Sequence, residues 1–255
     1  MKKVLKFFVQ YYLKWLAKIV LWRHRPMIVA ISGTTNKTFI KDLILKEVGN
    51  NMEVRGNPRS FNTEIGLPLA VLFLPSGYSS LFKWVDVLFE GTTISLFSRK
   101  FPKVLVLEMG VDCKGDMNYL LTIVKPTIAI ITNVDRNFPN NGTSINDITD
   151  EMKNLVKSVR EDGVVLLNGD DNRVRSLKED STANVITWGI GKECDAKISD
   201  IKNTETGQLF TLESEDRKED IEIRKFGYHN ISAIVAAKIA TREIIKRKNK
   251  SVKQK

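Results

Sequence analysis

The sequence predicts an α/β protein: a parallel-sheet, phosphate-loop-type core covered by helices on both faces, with a small antiparallel β appendage. Three observations carry that reading. Short apolar, β-branched runs recur along the chain: MIVAIS (27–32), VLVLEM (104–109), TIAIITNV (127–134) and GVVLLN (163–168). Helical patterns separate them, the arrangement of parallel strands buried on both faces. The first run opens into a Gly-Thr-rich turn and then a helix, the usual context of a phosphate-binding loop.

Residues 4–22 come first and are apolar except for Lys6, Gln10, Lys14 and Lys18. Those four recur every fourth residue and form one narrow polar stripe on a helix whose remaining surface carries Phe7, Phe8, Tyr11, Tyr12, Trp15 and Trp22. The uncharged run from Phe7 to Leu13 is far short of the roughly 20 residues that span a bilayer. Lys14 and Lys18 interrupt any signal-peptide core. The segment 1–25 therefore reads as a basic amphipathic helix lying on an anionic membrane surface. A helix docked on a partner domain or neighbouring subunit is the alternative.

After the strand 27–32, the turn Gly33-Thr34-Thr35-Asn36-Lys37-Thr38 leads into a helix from Thr38 to about Val48. Backbone N–H groups at the helix start would cradle phosphate, Lys37 would reach the terminal phosphates and Thr38 would hold Mg²⁺. Asn36 stands where such loops carry glycine. If a positive φ is needed there, Asn is the least costly substitute. Residues 65–73 read as a helix that Asn62 or Thr63 could cap. Helices follow at 116–124 and 144–160. Glu108 ends an apolar strand, where an acid is either solvated or placed to meet a metal beside the loop. Residues 184–224 hold four strand-like runs (ANVITWGI, DAKISDIK, QLFTLES, DIEIRKF) that suggest an antiparallel flap. A helix over 226–246 closes the body, and His229 and Asn230 fall at its start. Asp170 and Asp171 read as a turn or cap. The tail 242–255 is expected to fray.

Composition narrows the function. The 255 residues carry a net charge of +10, which alone would suggest nucleic acid. Residues 1–25 hold seven bases and no acid, and 242–255 hold seven bases and one acid, which leaves about −3 on the body 26–241. The body is mildly acidic and the ends are basic, and nucleic acid is disfavoured as a partner. Two cysteines with no CxxC pair, and only two histidines, argue against a disulfide scaffold or a structural zinc site and fit the cytoplasm.

Five ordered segments across 26–241 resemble the Mur ligase family, ATP-dependent amide-bond ligases of peptidoglycan precursor synthesis, and within it the branch that adds D-alanyl-D-alanine. They are ISGTTNKTF (31–39), SFNTEIGLPLAVL (60–72), VLVLEMGVDCKGDMNYLLTIVKPTIAIITNV (104–134), GVVLLNGDD (163–171) and FGYHNISAIVAA (226–237). The resemblance implies ATP and Mg²⁺ as cofactors. It implies that Gly33, Thr34, Thr35, Asn36, Lys37 and Thr38 bind the phosphates, that Lys37 and Glu108 serve catalysis, and that Thr38 and Glu108 hold the metal. Asn133, His229 and Asn230 would lie near the adenine, and Asn62, Thr63 and Glu64 beside the reacting centre. The implied reaction moves the γ-phosphoryl group to a carboxylate, and an amine then attacks the acyl phosphate.

Phe138 stands where the family pattern would put a metal-site histidine. The family's UDP-sugar-binding and C-terminal domains have no counterpart in the sequence. The expected partners are thus a nucleotide, a UDP-linked muramyl peptide, an anionic membrane through residues 1–25, and a separate chain supplying the missing C-terminal domain. The expected location is the cytoplasm, at the inner face of the cell membrane. The competing expectation is a non-catalytic relative that keeps the fold as a nucleotide-binding or membrane-surface interaction protein.

Overall fold

Nine strands form a single sheet in the order β2-β3-β1-β4-β5-β6-β7-β8-β9 in the computed structural model, which describes residues 3–58, 60–135, 143–215 and 217–253. The elements run α1 (Lys3–His24), β1 (Met27–Ser32), α2 (Lys37–Gly49), β2 (Val54–Gly56), α3 (Gly66–Leu72), α4 (Leu81–Phe97), β3 (Val104–Glu108), α5 (Asp116–Leu121) and β4 (Ile128–Ile131). They continue with α6 (Ile145–Ser158), β5 (Val164–Asn168), α7 (Asn172–Ser176), β6 (Asn184–Gly189), β7 (Ala196–Asn203), β8 (Gln208–Ser214), β9 (Arg217–Ile223) and α8 (Tyr228–Lys253). Pairing is parallel from β2 through β7 and antiparallel from β7 to β9.

The apolar strand runs are continuous because both faces are covered. In β1, Ile28 and Ala30 belong to the layer with α1, α3, α4, α5 and α6, whereas Val29 and Ile31 belong to the layer with α2 and α8. That alternation is the period-two pleat of a strand. From β1 the chain first builds β2 and β3 on one side and then β4 to β6 on the other. The loop after β1 therefore opens at a topological switch point, where open α/β sheets leave a crevice for ligand.

Four features differ from the sequence reading. The expected flap over 184–224 starts one strand later, because β6 pairs in parallel with β5 and only β7 to β9 are antiparallel. The tail expected to fray continues α8 to Lys253, with Arg242 bonded to Glu219 and Lys248 donating to the Asn51 carbonyl at 3.0 Å. Basic side chains near a helix C-terminus also complement its dipole. Helix α4 and strand β2 carried too weak a pattern to be read: α4 is apolar on most of its circumference, and β2 has three residues.

The largest difference concerns α1. It packs on α3 and α4 with Val9, Leu13, Leu16, Ala17 and Val20 inside the core. Tyr12 bonds Thr92 at 2.8 Å, Ser95 Oγ donates to the Leu16 carbonyl at 3.2 Å, and Lys6 pairs with Glu64 at 2.8 Å. The lysine stripe exists, but the aliphatic residues of the helix face inward and its aromatic residues face out. A partner helix that the sequence did not reveal takes the inner face. Leu13→Ala should accordingly lower the unfolding free energy by about 2–5 kcal/mol in urea denaturation followed by circular dichroism. No loss would mean that α1 is not part of the core.

Candidate active site

The loop after β1 has the backbone that its sequence requires. Gly33 has φ 121°, and a Cβ there would lie 2.2 Å from Thr132 Oγ1 and 2.9 Å from the Asn133 carbonyl, so a side chain is excluded. Asn36 has φ 63° and ψ 2°, the left-handed conformation in which Asn is the cheapest non-glycine residue. Its amide donates to the His229 carbonyl at 3.1 Å, a tie between loop and α8 that glycine could not make. The first turn of α2 follows directly, so its backbone N–H groups converge at the loop. Lys37 Nζ sits over the loop, 2.6 Å from the Gly33 carbonyl. Burial pushes its ammonium below the usual lysine range, and the negative charges of Glu108 and Asp112 oppose that shift.

Asn133, expected near the adenine, braces the loop. Its side-chain oxygen accepts from Thr35 N at 3.0 Å and Thr35 Oγ1 at 2.9 Å, and its carbonyl accepts from Thr34 N at 2.8 Å. Asp171, the N-cap of α7, also accepts from Val134 N at 2.8 Å and so holds the strand end behind Asn133. Asn133 and His229 share the wall of a cavity of about 170 Å³ with Thr35, Asn36, Trp188 and Tyr228. Asn230 stands next to it, with its amide 3.1 Å from His229 Nε2 and donating to the Phe226 carbonyl at 2.8 Å. Tyr228 bonds Asp170, and burial with that carboxylate pushes the phenol pKa upward.

Glu108 is not a solvated strand terminus. Only 4% of it is exposed; Oε2 accepts from Thr38 Oγ1 at 3.0 Å, and Oε1 lies 3.0 Å from Lys41 Nζ. Lys41 is as deeply buried and also donates to the Asn57 carbonyl at 2.8 Å. Asn57 in turn brackets the backbone of Glu108, accepting from its N–H at 2.8 Å and donating to its carbonyl at 3.0 Å. Reading the sequence missed Lys41 and Asn57. Lys41 reads as one more polar residue of a surface helix, and the Asn before Pro58 as a turn residue.

The segment Asn62-Thr63-Glu64 does not cap α3. The residue before that helix is Ile65, and no side chain caps it. Asn62 instead accepts from Gly110 N at 2.9 Å through its carbonyl, which fixes the segment to the end of β3. Thr63 and Glu64 line a cavity of about 410 Å³ together with Asp112, Lys114, Tyr119 and Gln10 of α1. The hydrogen bond from Lys6 holds the Glu64 carboxyl below its usual range. Glu151, another residue the sequence did not flag, holds the backbone of Gly115 in the wall of this cavity. It is buried and accepts from Gly115 N at 2.9 Å and Met117 N at 2.7 Å, pinning the start of α5. Phe138 lies outside the described residues.

Three comparisons bear on this arrangement. The sequence model of the Mur ligase middle domain matches residues 91–241. The UDP-N-acetylmuramoyl-tripeptide–D-alanyl-D-alanine ligase of Bacillus subtilis is 28% identical over 88% of this chain and 43% of its own length. The enzyme of the same name from Haemophilus influenzae is 24% identical over 88% of this chain and 43% of its own length. The chain thus spans less than half the length of these relatives. Among solved structures, MurF from Acinetobacter baumannii superposes with a TM-score of 0.72 at 17% identity, covering 89% of this chain and 45% of that one. The MurF ligase of Thermotoga maritima, solved with ADP, gives 0.71 at 20% identity over 92% of this chain and 49% of its own.

Two substitutions check the geometry. Lys41→Met should cost about 3–5 kcal/mol in chemical denaturation because it strands a buried carboxylate, and adding Glu108→Gln should recover part of that loss. Asn36→Ala should cost about 1–2 kcal/mol through the left-handed backbone, whereas Asn36→Gly should cost less in the same measurement.

Proposed function

The chain belongs to the Mur ligase family through its middle domain, and from that premise we propose that it is the ATP-binding module of an amide-bond ligase of peptidoglycan precursor synthesis. The observation that carries this reading is the convergence of Lys37, Thr38 and the buried Glu108 at the switch point of the sheet, with Thr38 Oγ1 3.0 Å from the Glu108 carboxylate.

The ATP phosphates lie along Gly33 to Thr38, held by the N–H groups at the start of α2 and by the Lys37 ammonium. The adenine takes the cavity of Asn133, His229 and Tyr228, with Asn230 beside it. Thr38 and Glu108 suit Mg²⁺: one hydroxyl and one carboxylate oxygen are what this ion takes from protein when phosphates and water complete its shell. Bound there, it supplies neutralisation of charge on the phosphates as the γ-phosphoryl group leaves. Lys41 aims Glu108 at Thr38 by pairing with its other oxygen.

The substrate carboxylate enters through the cavity of Thr63 and Glu64, across the end of β3 from the phosphate loop. Its oxygen attacks the γ-phosphorus, and the bond to ADP breaks. The incoming amine then attacks the acyl carbon, and inorganic phosphate leaves. The catalytic groups of this chain therefore position charges and need no covalent step of their own. The names of the relatives point to a UDP-linked muramyl tripeptide and D-alanyl-D-alanine as the substrates. Those relatives are more than twice as long as the matched region, so we assign closure over the nucleotide and capture of the amine to a region outside this domain. The site of action is the cytoplasm, at the inner face of the membrane, with α1 as the contact.

Nucleotide binding is the property this domain can be tested for alone. Mg·ATP at 100 times its Kd should raise the unfolding free energy by about 2.7 kcal/mol, read as a thermal shift, and Lys37→Ala should remove the shift. No shift with the wild-type chain at millimolar Mg·ATP would refute the assignment. Affinity should also depend on pH. The polyphosphate binds the charged form of Lys37, whose pKa is lowered from 10.5, so affinity should fall on alkaline titration before a normal lysine would lose its proton. Lys37→Arg should flatten that limb in calorimetric titrations.

A further inference from the structure

We propose that the outward faces of α1 and α4 form one aromatic surface, rimmed by basic residues, that binds an anionic lipid bilayer at its headgroup boundary. The inference rests on the membrane-face location proposed above and adds to it a second helix, α4, that the sequence did not mark.

On α1, Phe7, Phe8, Tyr11, Trp15 and Trp22 are exposed, Trp22 to 72%. On α4, Phe82 is 86% exposed, Phe89 76% and Phe97 72%, with Val85 and Leu96 exposed beside them. These two sets adjoin. Tyr12 bonds Thr92, Leu16 meets Ser95 and Arg23 reaches the Ser98 carbonyl, so the helices run side by side in the same direction. Phe8 and Trp15 lie one turn to either side of Tyr12, and Phe89 and Leu96 one turn to either side of Thr92. Phe8, Trp15, Phe89 and Leu96 therefore border the same seam, with Phe82 and Phe97 farther round α4. An apolar patch of this extent is rare on a monomeric soluble protein and marks an interaction surface.

Charge selects the occupant. Residues 1–25 contain seven bases and no acid, and Arg99, Lys100 and Lys103 follow the end of α4. The two acids of α4, Asp86 and Glu90, sit about 120° and 160° around the helix from Thr92, on the flank of Phe97 and farther from α1 than Phe89 and Leu96. Lys18 lies 5.0 Å from the ring centre of Trp15. Aromatic rings with ammonium groups folded back along them are the arrangement that sinks rings to the acyl boundary and leaves charge at phosphate level. Among the described residues no helix is long and apolar enough to cross a membrane, so the contact is interfacial. Anionic lipid satisfies both the apolar face and its rim. A protein partner would need an apolar surface ringed by acids.

The inner flank of α1 faces the candidate active site. Lys6 pairs with Glu64, Gln10 lines the cavity of Thr63 and Glu64, and Lys14 lies 4.8 Å over the ring of Tyr119. One helix thus carries the bilayer contact on one side and a wall of the substrate cavity on the other.

The test uses the full chain with vesicles of phosphatidylcholine, alone or mixed with phosphatidylglycerol. Co-sedimentation and tryptophan emission are the readouts. Trp15 and Trp22 are exposed while Trp84 and Trp188 are buried, so a blue shift on binding reports α1 at the bilayer. Anionic vesicles should bind the protein and shift its emission, and neutral ones should do so far less. Two sets of surface variants, Trp15→Ser with Trp22→Ser, and Phe82→Ser with Phe89→Ser and Phe97→Ser, should each keep the wild-type circular dichroism and each weaken binding by about tenfold or more. Wild-type binding that survives the α4 substitutions intact would overturn the two-helix surface and leave the α1 location standing. No binding of the wild type to anionic vesicles would overturn both. Equal binding to neutral vesicles, or a dimer in solution that the same substitutions dissolve, would assign the face to another occupant.

Discussion

A carboxylate buried at the end of a central strand has to be compensated, and the compensation of Glu108 organises the site. Lys41 from α2 neutralises it, Thr38 from the first turn of α2 donates to it, and Asn57 from the loop after β2 clamps its backbone on both sides. One charge therefore ties the phosphate-loop helix, the second strand of the sheet edge and the third strand into a single unit. Desolvating an ion pair is expensive unless its remaining hydrogen bonds are met. Here Thr38 serves Glu108 Oε2 and the Asn57 carbonyl serves Lys41, while Glu108 Oε1 has the ion pair but no hydrogen bond of its own.

The opposite side of the loop is held by neutral contacts. Asn133 spends its side-chain oxygen on Thr35, and Asn36 reaches across to the start of α8. These bonds hold a loop with two positive-φ residues in one shape, so the energy of ordering it is largely spent before ligand arrives. Pre-organised donors of this kind are how a site acts on phosphoryl transfer without a nucleophile of its own.

Helix α1 serves the core, the cavity of Thr63 and Glu64, and the surface at once. Its aliphatic face completes the core, its lysine flank reaches Glu64 and Tyr119, and its aromatic face remains outside. The net charge that first suggested nucleic acid is concentrated on this helix and on the last turns of α8.

Most of the sheet and the phosphate loop were legible in the sequence because they rest on local patterns. Buried strands need unbroken apolar runs, a tight phosphate turn needs Gly33, and the left-handed residue before Lys37 tolerates Asn and little else. The residue order alone also placed Lys37 and Thr38 at the start of a helix after a strand. Tertiary structure decided the rest. Whether Lys41 is a surface lysine or the partner of Glu108, and whether Asn62 caps a helix or fixes the end of β3, depends on elements far away in the chain. The same holds for α1, whose free or docked state turned on α4, a helix apolar on too many sides to show a period. Pairing energies of buried charges and the choice of which apolar face is covered are set by neighbours that only the folded chain brings together.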